Sequence, residues 1–188
     1  GIETDAELRT SNPAIFAAGD VLGRRCLVHL SAYTGRLAAR NAFASEPQRA
    51  DFDRFDAHAV YTQPQVAVAG LGERTCAERG IDARVRRHPF VDVGKAVVSD
   101  EPAGFVKMLA RPGDGRILGI AIVGNEAIDL VGEAIALIDR GVTTAELAEL
   151  PRLHPTMGEI FARVAEDFET PQAPLPERSG LANVPSKV

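Results

Sequence analysis

The chain has 188 residues, of which 45% are hydrophobic and 25% charged, with a formal net charge of −5. This size and composition are typical of one soluble globular domain with room for part of a second. The negative charge argues against a nucleic-acid-binding surface, and the longest apolar run, 117–124, is too short to span a bilayer. From the charge and the apolar run we expect neither a membrane nor a nucleic acid as partner. No secretory signal is visible.

Cysteine and histidine are sparse. Cys26 and Cys76 are the only cysteines, and their spacing fits neither a metal-ligand nor a redox motif. Two free thiols predict a cytoplasmic protein. Because His29, His58 and His88 are scattered along the chain, we expect no metal site.

The first part of the chain predicts a turn followed by a short strand. Asn12-Pro13 marks the turn, and the apolar run 14–18 has strand length. Gly19 would let another group approach the backbone, and Asp20 would project a carboxylate from the carboxyl end of the strand, where ligands bind in α/β sheets. An ordinary β-turn explains Gly19 and Asp20 equally well.

A helix is predicted over 27–44. Its apolar stripe consists of Leu30, Tyr33, Leu37, Ala38 and Asn41. Gly35 interrupts the pattern, which indicates close packing against another group. The free N–H groups near Leu27, Val28 and His29 would suit carbonyl or phosphate oxygens.

A charged connector at 45–56 predicts a domain boundary, and the pattern after it is rich in strands. The predicted strands are 59–62, 65–69, 83–90, 95–99, 105–110 and 116–123, with a short helix at 73–79. The segment 111–115 between the last two strands is a hairpin signal.

The last part of the chain predicts three helices and a tail. The first covers 125–140, with Asn125 as its cap, Gly141 as its stop and an apolar stripe of Ile128, Val131, Ile135 and Ile138. The second covers 144–150 and the third 157–168, the latter with Ile160, Phe161, Val164 and Phe168 on one face. The proline-rich segment 169–188 predicts a flexible tail.

The segment 153–159 combines a histidine, a proline and a carboxylate. Pro155 disfavours the helical region for His154, while Thr156 and Glu159 have the spacing of a capping box. The carboxylate would therefore return towards an imidazole held ahead of the helix, an arrangement suited to proton transfer at neutral pH. Spacing alone leaves a second interpretation open, in which Glu159 only caps the helix and His154 is a turn residue.

Antiparallel strands followed by helices predict an α+β fold, an antiparallel sheet with helices packed on one face. Three motifs in this order resemble those of the pyridine nucleotide-disulfide oxidoreductases, the flavoprotein family of dihydrolipoamide dehydrogenase, glutathione reductase and mercuric reductase. The segment 10–21 resembles the second flavin-binding motif, 27–29 with Gly35 resembles the helix that follows it, and 154–156 with Glu159 resembles the C-terminal acid–base motif.

The resemblance implies that 1–50 are the C-terminal segment of an FAD-binding domain and 57–168 a dimerisation domain. Asp20, next to Gly19, would accept hydrogen bonds from the ribityl chain of FAD. The N–H groups at 27–29 would face the pyrimidine end of the flavin ring and stabilise negative charge on its reduced form.

The same resemblance implies that His154, oriented by Glu159, moves a proton to and from a thiol in the partner subunit of a homodimer. The complete enzyme would use FAD and NAD(P)H to reduce a disulfide or other small-molecule acceptor. The sequence contains neither the family's Gly-x-Gly-x-x-Gly motif nor its redox cysteine pair. We therefore expect a C-terminal fragment that is inactive alone and retains no flavin.

Two alternatives remain open at this point. The isolated chain could be a non-catalytic dimerisation module, or the complete protein could be an NAD(P)H oxidase or reductase without the redox disulfide. A mercuric reductase is disfavoured, because His154 stands where those enzymes usually carry a tyrosine and the C-terminal tail has no cysteine pair.

Overall fold

The structure, a computed structural model, describes residues 1–53 and 56–170. Of the predicted tail, Glu169 is the last residue of a helix, and 171–188 lie outside the described residues. No helix within the described ranges combines the length and the apolar character that a membrane crossing requires.

A five-stranded antiparallel sheet forms the centre of the larger part of the chain. Its strands are β1 (Ala57–Val60), β2 (Gln65–Gly70), β3 (Arg84–Pro89), β4 (Gly104–Ala110) and β5 (Ile117–Gly124), in the order β1-β2-β5-β4-β3. β1 and β3 are therefore the edge strands. The predicted hairpin is confirmed, because β4 and β5 pair directly across 111–116.

Helices cover one face of this sheet, as the predicted α+β fold requires. α4 (Ala127–Arg140) packs on β2 and β5, α6 (Glu159–Glu169) packs on β3 and β4, and α5 (Thr144–Glu149) packs on α6. Side chains alternate between the two faces of each strand. The covered face supplies the main core, with Ala67, Val106, Met108, Ile120 and Ile122 all buried.

The predicted apolar face of α6 is confirmed, because Ile160, Phe161, Val164 and Phe168 are all buried. On α4 the fully buried positions are instead Ala127, Ala134 and Leu137. The predicted stripe of α4 lies one position away, on the flank of the core, where Val131, Ile135 and Ile138 are partly buried.

The N-terminal segment has a small core of its own around Leu8, Leu37 and Ala38. The predicted strand at 14–18 is wrong, because Phe16 makes only one isolated bridge, to Arg9, and a strand exists only through pairing. A short 3-10 helix, Gly19–Leu22, follows, and then α1 (Val28–Asn41), which buries Leu30, Leu37, Ala38 and Asn41 of the predicted stripe.

Gly35 of α1 does not pack closely as predicted. Apart from its chain neighbours and the nearby backbone of its own helix, no described atom lies within 4 Å of the position that a Cβ on Gly35 would occupy. The division of the chain into domains at 1–50 and 57–168 stays a prediction.

The predicted strand at 95–99 is also wrong. The structure has a short helix in its place, α3 (Gly94–Val98). The short helix predicted at 73–79 is present as α2 (Glu73–Glu78). Phe90, Val93 and Ala96 are buried at a spacing of three, which is helical, while Val97 and Val98 are exposed. The burial pattern thus overrides the β-propensity of the two valines, because that propensity depends on packing.

Asn125 does not cap α4. The N-cap residue is Glu126, in the left-handed region at φ 59°, and no side chain of its own caps the helix. The side chain of Gln65 on β2 caps the helix instead, because its Oε1 accepts a hydrogen bond from the Ile128 N–H at 3.2 Å. The cap is thus supplied by a residue 63 positions away, which no local sequence signal could identify.

Candidate functional site

His154 and Glu159 form the pair that the sequence predicted. His154 lies on the segment between α5 and α6, where the His154–Pro155 peptide bond is cis, and Glu159 is the first residue of α6. His154 Nδ1 lies 3.0 Å from Glu159 Oε2. The His154 side chain is 72% exposed, whereas that of Glu159 is only 16% exposed. The carboxylate is therefore held by the fold, and the imidazole stands above it in contact with solvent.

The Glu159 carboxylate uses both of its oxygens. Oε2 faces the imidazole, while Oε1 accepts a hydrogen bond from the Thr156 N–H at 2.7 Å. The hydrogen bond with His154 and then that with the Thr156 N–H lower the pKa of Glu159, and they outweigh desolvation, which raises it. An ionised carboxylate only accepts hydrogen bonds, so Nδ1–H of His154 must donate, and Nε2 is left as the nitrogen that can exchange a proton.

Only half of the predicted capping box is present. The hydroxyl of Thr156 donates to the Leu153 carbonyl at 2.8 Å instead of accepting from the helix. The N-cap is Gly158, so Glu159 is the first residue of α6 and not the third. The helix begins two residues later than predicted because 157–158 form a turn.

The structure brings Gly19 and Asp20 against the first turns of α1. The Gly19 N–H donates to Thr34 Oγ1, and Asp20 Oδ1 accepts from Ser31 Oγ, both at 2.9 Å. A Cβ on Gly19 would lie 3.2 Å from Ser31 Oγ, and its φ of 77° also favours glycine. An exposed carboxylate thus lies one turn from the N-terminus of a 14-residue helix.

The N-terminus of α1 carries no side-chain cap. Leu27 is the N-cap residue in an extended conformation, and no side-chain oxygen accepts from the N–H groups that follow it. Such a helix end, with its partial positive charge, is suited to an anionic or carbonyl oxygen. Val28 is 88% exposed and His29 is exposed, so this end of the helix is open.

A cavity of about 310 Å³ adjoins this helix end. It is lined by Leu27, Val28 and His29 together with Ile128, Val131 and Ile135 of α4. Neither His154 nor Glu159 lines it. Within the described part of one chain, the predicted flavin-facing residues and the predicted acid–base pair therefore form two separate sites.

The structure also contains a second histidine–carboxylate pair, which sequence reasoning missed. His88 Nδ1 on β3 lies 2.9 Å from Asp167 Oδ2 near the end of α6, and the two side chains are 15% and 32% exposed. The two residues are 79 positions apart, so only knowledge of the β3–α6 contact could have found them. Among residues 1–53 and 56–170, no group of three histidine, cysteine or acidic side chains could hold a metal ion.

Comparison with known proteins gives a consistent result. A family model described as "Pyridine nucleotide-disulphide oxidoreductase, dimerisation domain" matches residues 57–165. The dihydrolipoyl dehydrogenase of Geobacillus stearothermophilus is 36% identical over 165 residues, which are 88% of this chain and 35% of that enzyme. The chain thus spans about a third of the length of the curated relatives that it matches.

Solved structures agree in fold. The crystal structure of LpdA from Mycobacterium tuberculosis has a TM-score of 0.81 and 25% identity, and the match covers 89% of this chain and 36% of that one. The HOCl-induced flavoprotein disulfide reductase RclA from Escherichia coli has a TM-score of 0.79 and 21% identity, over 87% and 38% of the two chains.

Proposed function

This chain belongs to the pyridine nucleotide-disulphide oxidoreductases, and on that basis we propose that it provides the homodimer interface and the acid–base pair of a flavin-dependent, NAD(P)H-linked disulfide oxidoreductase. His154 and Glu159 are the proposed pair. The observation that carries the proposal is the 3.0 Å contact between an exposed imidazole and a largely buried carboxylate.

In the proposed reaction His154 handles the proton of a thiol. Thiol–disulfide exchange proceeds through a thiolate, so a group must take the thiol proton and later return it. His154 Nε2 would accept that proton while Nδ1–H stays bonded to Glu159, whose negative charge stabilises the imidazolium that forms. Glu159 thus fixes the tautomer and the direction of the ring.

We propose that His154 acts in the site of a second copy of the chain. The imidazole is exposed, and Leu153 beside it is 80% exposed, so this segment is free to reach another subunit. The two cysteines of this chain do not form a redox pair, because Cys26 is exposed on the N-terminal segment and Cys76 is buried on α2, fifty positions further along the chain. Burial is also the main cause that raises the pKa of Cys76, which disfavours its thiolate.

The residues at the open end of α1 fit FAD. Asp20 could accept hydrogen bonds from ribityl hydroxyls, and the uncapped N–H groups at 27–29 could donate to a ring carbonyl. When bound, the flavin would carry electrons between NAD(P)H and the disulfide or other small-molecule acceptor. These residues form one side of such a site, so we propose that the chain by itself does not retain the cofactor tightly.

The test is His154→Gln in an enzyme that contains this chain, because Gln keeps a hydrogen-bonding side chain but cannot exchange a proton. General acid–base catalysis typically contributes about 10²–10⁴-fold, so disulfide-reductase turnover should fall by at least about 10²-fold. Arg74→Gln, a change at an arginine of α2 whose side chain is 91% exposed and which lies outside both proposed sites, is the control and should leave turnover unchanged. Unchanged turnover in His154→Gln would remove this residue from the mechanism.

A second candidate is a module that assembles subunits without taking part in the chemistry. Large apolar side chains with little burial favour it, since Tyr61 is 81% exposed and Val98 is 78% exposed. Under this alternative His154→Gln would leave both turnover and subunit association intact. Under the leading proposal it would reduce turnover and leave association intact.

A further inference from the structure

We propose that Arg152 and Glu133 are positioning residues for the His154–Glu159 pair. Arg152 lies two positions before His154, and Glu133 lies on α4, away from the acid–base motif in the sequence. The inference rests on the proposed role of His154, because it assigns to a separate ion pair the task of holding the segment that carries this histidine.

The segment around His154 is not held by its own burial. Leu153 is 80% exposed and the His154 side chain is 72% exposed, while the backbone at 151–153 belongs to no helix or strand. An exposed segment without regular structure has few contacts to fix it and opens locally at low cost in free energy. Its position must therefore come from anchors on either side.

The anchor on the C-terminal side is dense. Met157 is 4% exposed, and the Thr156 N–H is bonded to Glu159 on α6. The hydroxyl of Thr156 also bonds the Leu153 carbonyl across the histidine. These contacts fix the segment from 156 onward.

The anchor on the N-terminal side is the Arg152–Glu133 ion pair. Arg152 Nη1 bonds Glu133 Oε1, and the two side chains are only 18% and 35% exposed. Arg152 Nε is buried without a hydrogen-bond partner among the described residues, so the contact with Glu133 is what offsets burial of the guanidinium charge. Without that carboxylate the arginine would turn towards solvent and release the chain beside it.

Glu133 also connects the two anchors. Its Oε2 lies 3.7 Å from the position that a Cβ on Gly158 would occupy. The carboxylate therefore lies between Arg152, before the histidine, and the N-terminus of α6, after it. A negative charge is favourable at that end of a helix, which adds a second reason for Glu133 to stay in place.

The consequence concerns the direction of the imidazole. The 3.0 Å contact between Nδ1 of His154 and Oε2 of Glu159 requires the backbone of His154 to keep its position relative to the first residue of α6. Loss of the Arg152 anchor should let 153–155 move, so that Nδ1 leaves Glu159 and the ring takes other tautomers and orientations. The nitrogen that is presented for proton exchange would then no longer be fixed.

The test is NMR of the imidazoles in the ¹⁵N-labelled 188-residue chain, with the His154 signals assigned by their loss in His154→Gln. At about pH 8, where an ordinary imidazole is neutral, wild-type His154 should be mainly in the Nδ1–H form. In Arg152→Ala the population of that form should fall by roughly two-fold or more. Arg152→Lys, which keeps the charge, should recover part of it, and Glu133→Gln should resemble Arg152→Ala.

Arg79→Ala is the matched control, because it removes an arginine from a more exposed ion pair, with Asp53, and should leave the His154 ring unchanged. An arginine that only added stability would lower the unfolding midpoint without altering the tautomer of the folded chain. An unchanged Nδ1–H population in a folded Arg152→Ala chain would overturn the inference. If Arg152→Ala does not fold, an unchanged population in both Arg152→Lys and Glu133→Gln overturns it.

This readout is independent of turnover. If His154→Gln leaves turnover unchanged, the proposed function fails, even where the tautomer depends on Arg152. If turnover depends on His154 but its tautomer does not depend on Arg152 or Glu133, the positioning role alone fails.

Discussion

A single carboxylate connects the helix, the turn before it and the histidine. Glu159 is the first residue of α6 and accepts hydrogen bonds from both the Thr156 N–H and His154. The residue that holds the turn before α6 therefore also orients the imidazole. Of the two interpretations that spacing left open, the structure does not support Glu159 as the cap of α6, because the N-cap is Gly158 without a side-chain cap, whereas the contact with His154 is the one that the acid–base proposal requires.

The lowered pKa of Glu159 predicts a pH-dependent contribution to stability. A carboxyl whose pKa is lower in the folded chain stabilises it above the unfolded pKa, and that contribution is lost as pH falls through the folded pKa. Glu159→Gln should therefore lower the free energy of unfolding above about pH 5, and the difference from wild type should disappear in more acidic solution. Urea unfolding followed by circular dichroism at a series of pH values measures this.

Glu166→Gln is the control for that experiment. Glu166 lies on the same helix in an ion pair with Arg163, and both side chains are about half exposed. Exposed pairs contribute little, so its effect should be small at every pH. An effect of Glu159→Gln that does not vary with pH would contradict the linkage.

At the scale of elements, α6 is held at both ends by side chains from outside its regular turns. At its N-terminus, Glu159 contacts His154 and the Thr156 N–H. Its C-terminus lies against β3. There Arg84 Nη2 donates to the Phe168 carbonyl at 2.6 Å and Arg86 Nε donates to the Asp167 carbonyl at 2.8 Å. Positive charge at the carbonyl end of a helix is favourable, so β3 stabilises α6 by charge as well as by packing.

This arrangement predicts that Arg86→Ala destabilises the chain more than Arg87→Ala. Hydrogen bonds from charged groups contribute about 1.5–3 kcal/mol, which sets the expected loss for Arg86. Arg87 is on the opposite face of the same strand, where its guanidinium lies 3.6 Å from the Phe105 ring centroid. Such a cation–π contact contributes about 0.5–1 kcal/mol at exposed sites. Urea unfolding of both variants measures the two losses of free energy of unfolding. An equal or larger loss for Arg87→Ala would contradict the stabilisation of α6 by Arg86.

The elements that sequence could predict are those whose signals are local. The helix predicted at 144–150 begins at Thr144, where Thr143 and Glu146 form a complete capping box in the structure, and Gly141 ends α4 as predicted. The strand predicted at 95–99 failed because β-branched residues were given more weight than the helical spacing of Val93 and Ala96. Local propensity is a weak guide where tertiary packing decides.

The residues that sequence could not find are those joined only by the fold. Gln65 caps α4 from β2, Arg152 meets Glu133 across 19 positions, and His88 meets Asp167 across 79. The His154–Glu159 pair could be predicted from the sequence because its two residues are only five positions apart and a proline restricts the backbone between them. The residues that hold a site in place from other elements can be found only once the order and packing of those elements are known.

For the whole molecule, the proposed homodimer predicts a defined mass. Light scattering should give twice the 20.0 kDa of one chain. Leu153→Asp, which places a charge beside His154 in the proposed interface, should shift the chain towards the monomer. Phe43→Asp is the matched control, because Phe43 is 93% exposed on the N-terminal segment, outside the proposed interface. A wild-type monomer at micromolar concentration would contradict the proposal.

The edge position of β3 has a consequence for behaviour at high concentration. An edge strand offers unpaired backbone groups that can recruit a strand from another molecule and start open-ended aggregation. β3 carries Arg84, Arg86 and Arg87 within four positions, and Arg84 and Arg87 are exposed. A second copy that approached this edge would place like charges side by side. The arginines of β3 therefore have two effects: they stabilise the C-terminus of α6, and they disfavour polymerisation of the sheet through the β3 edge.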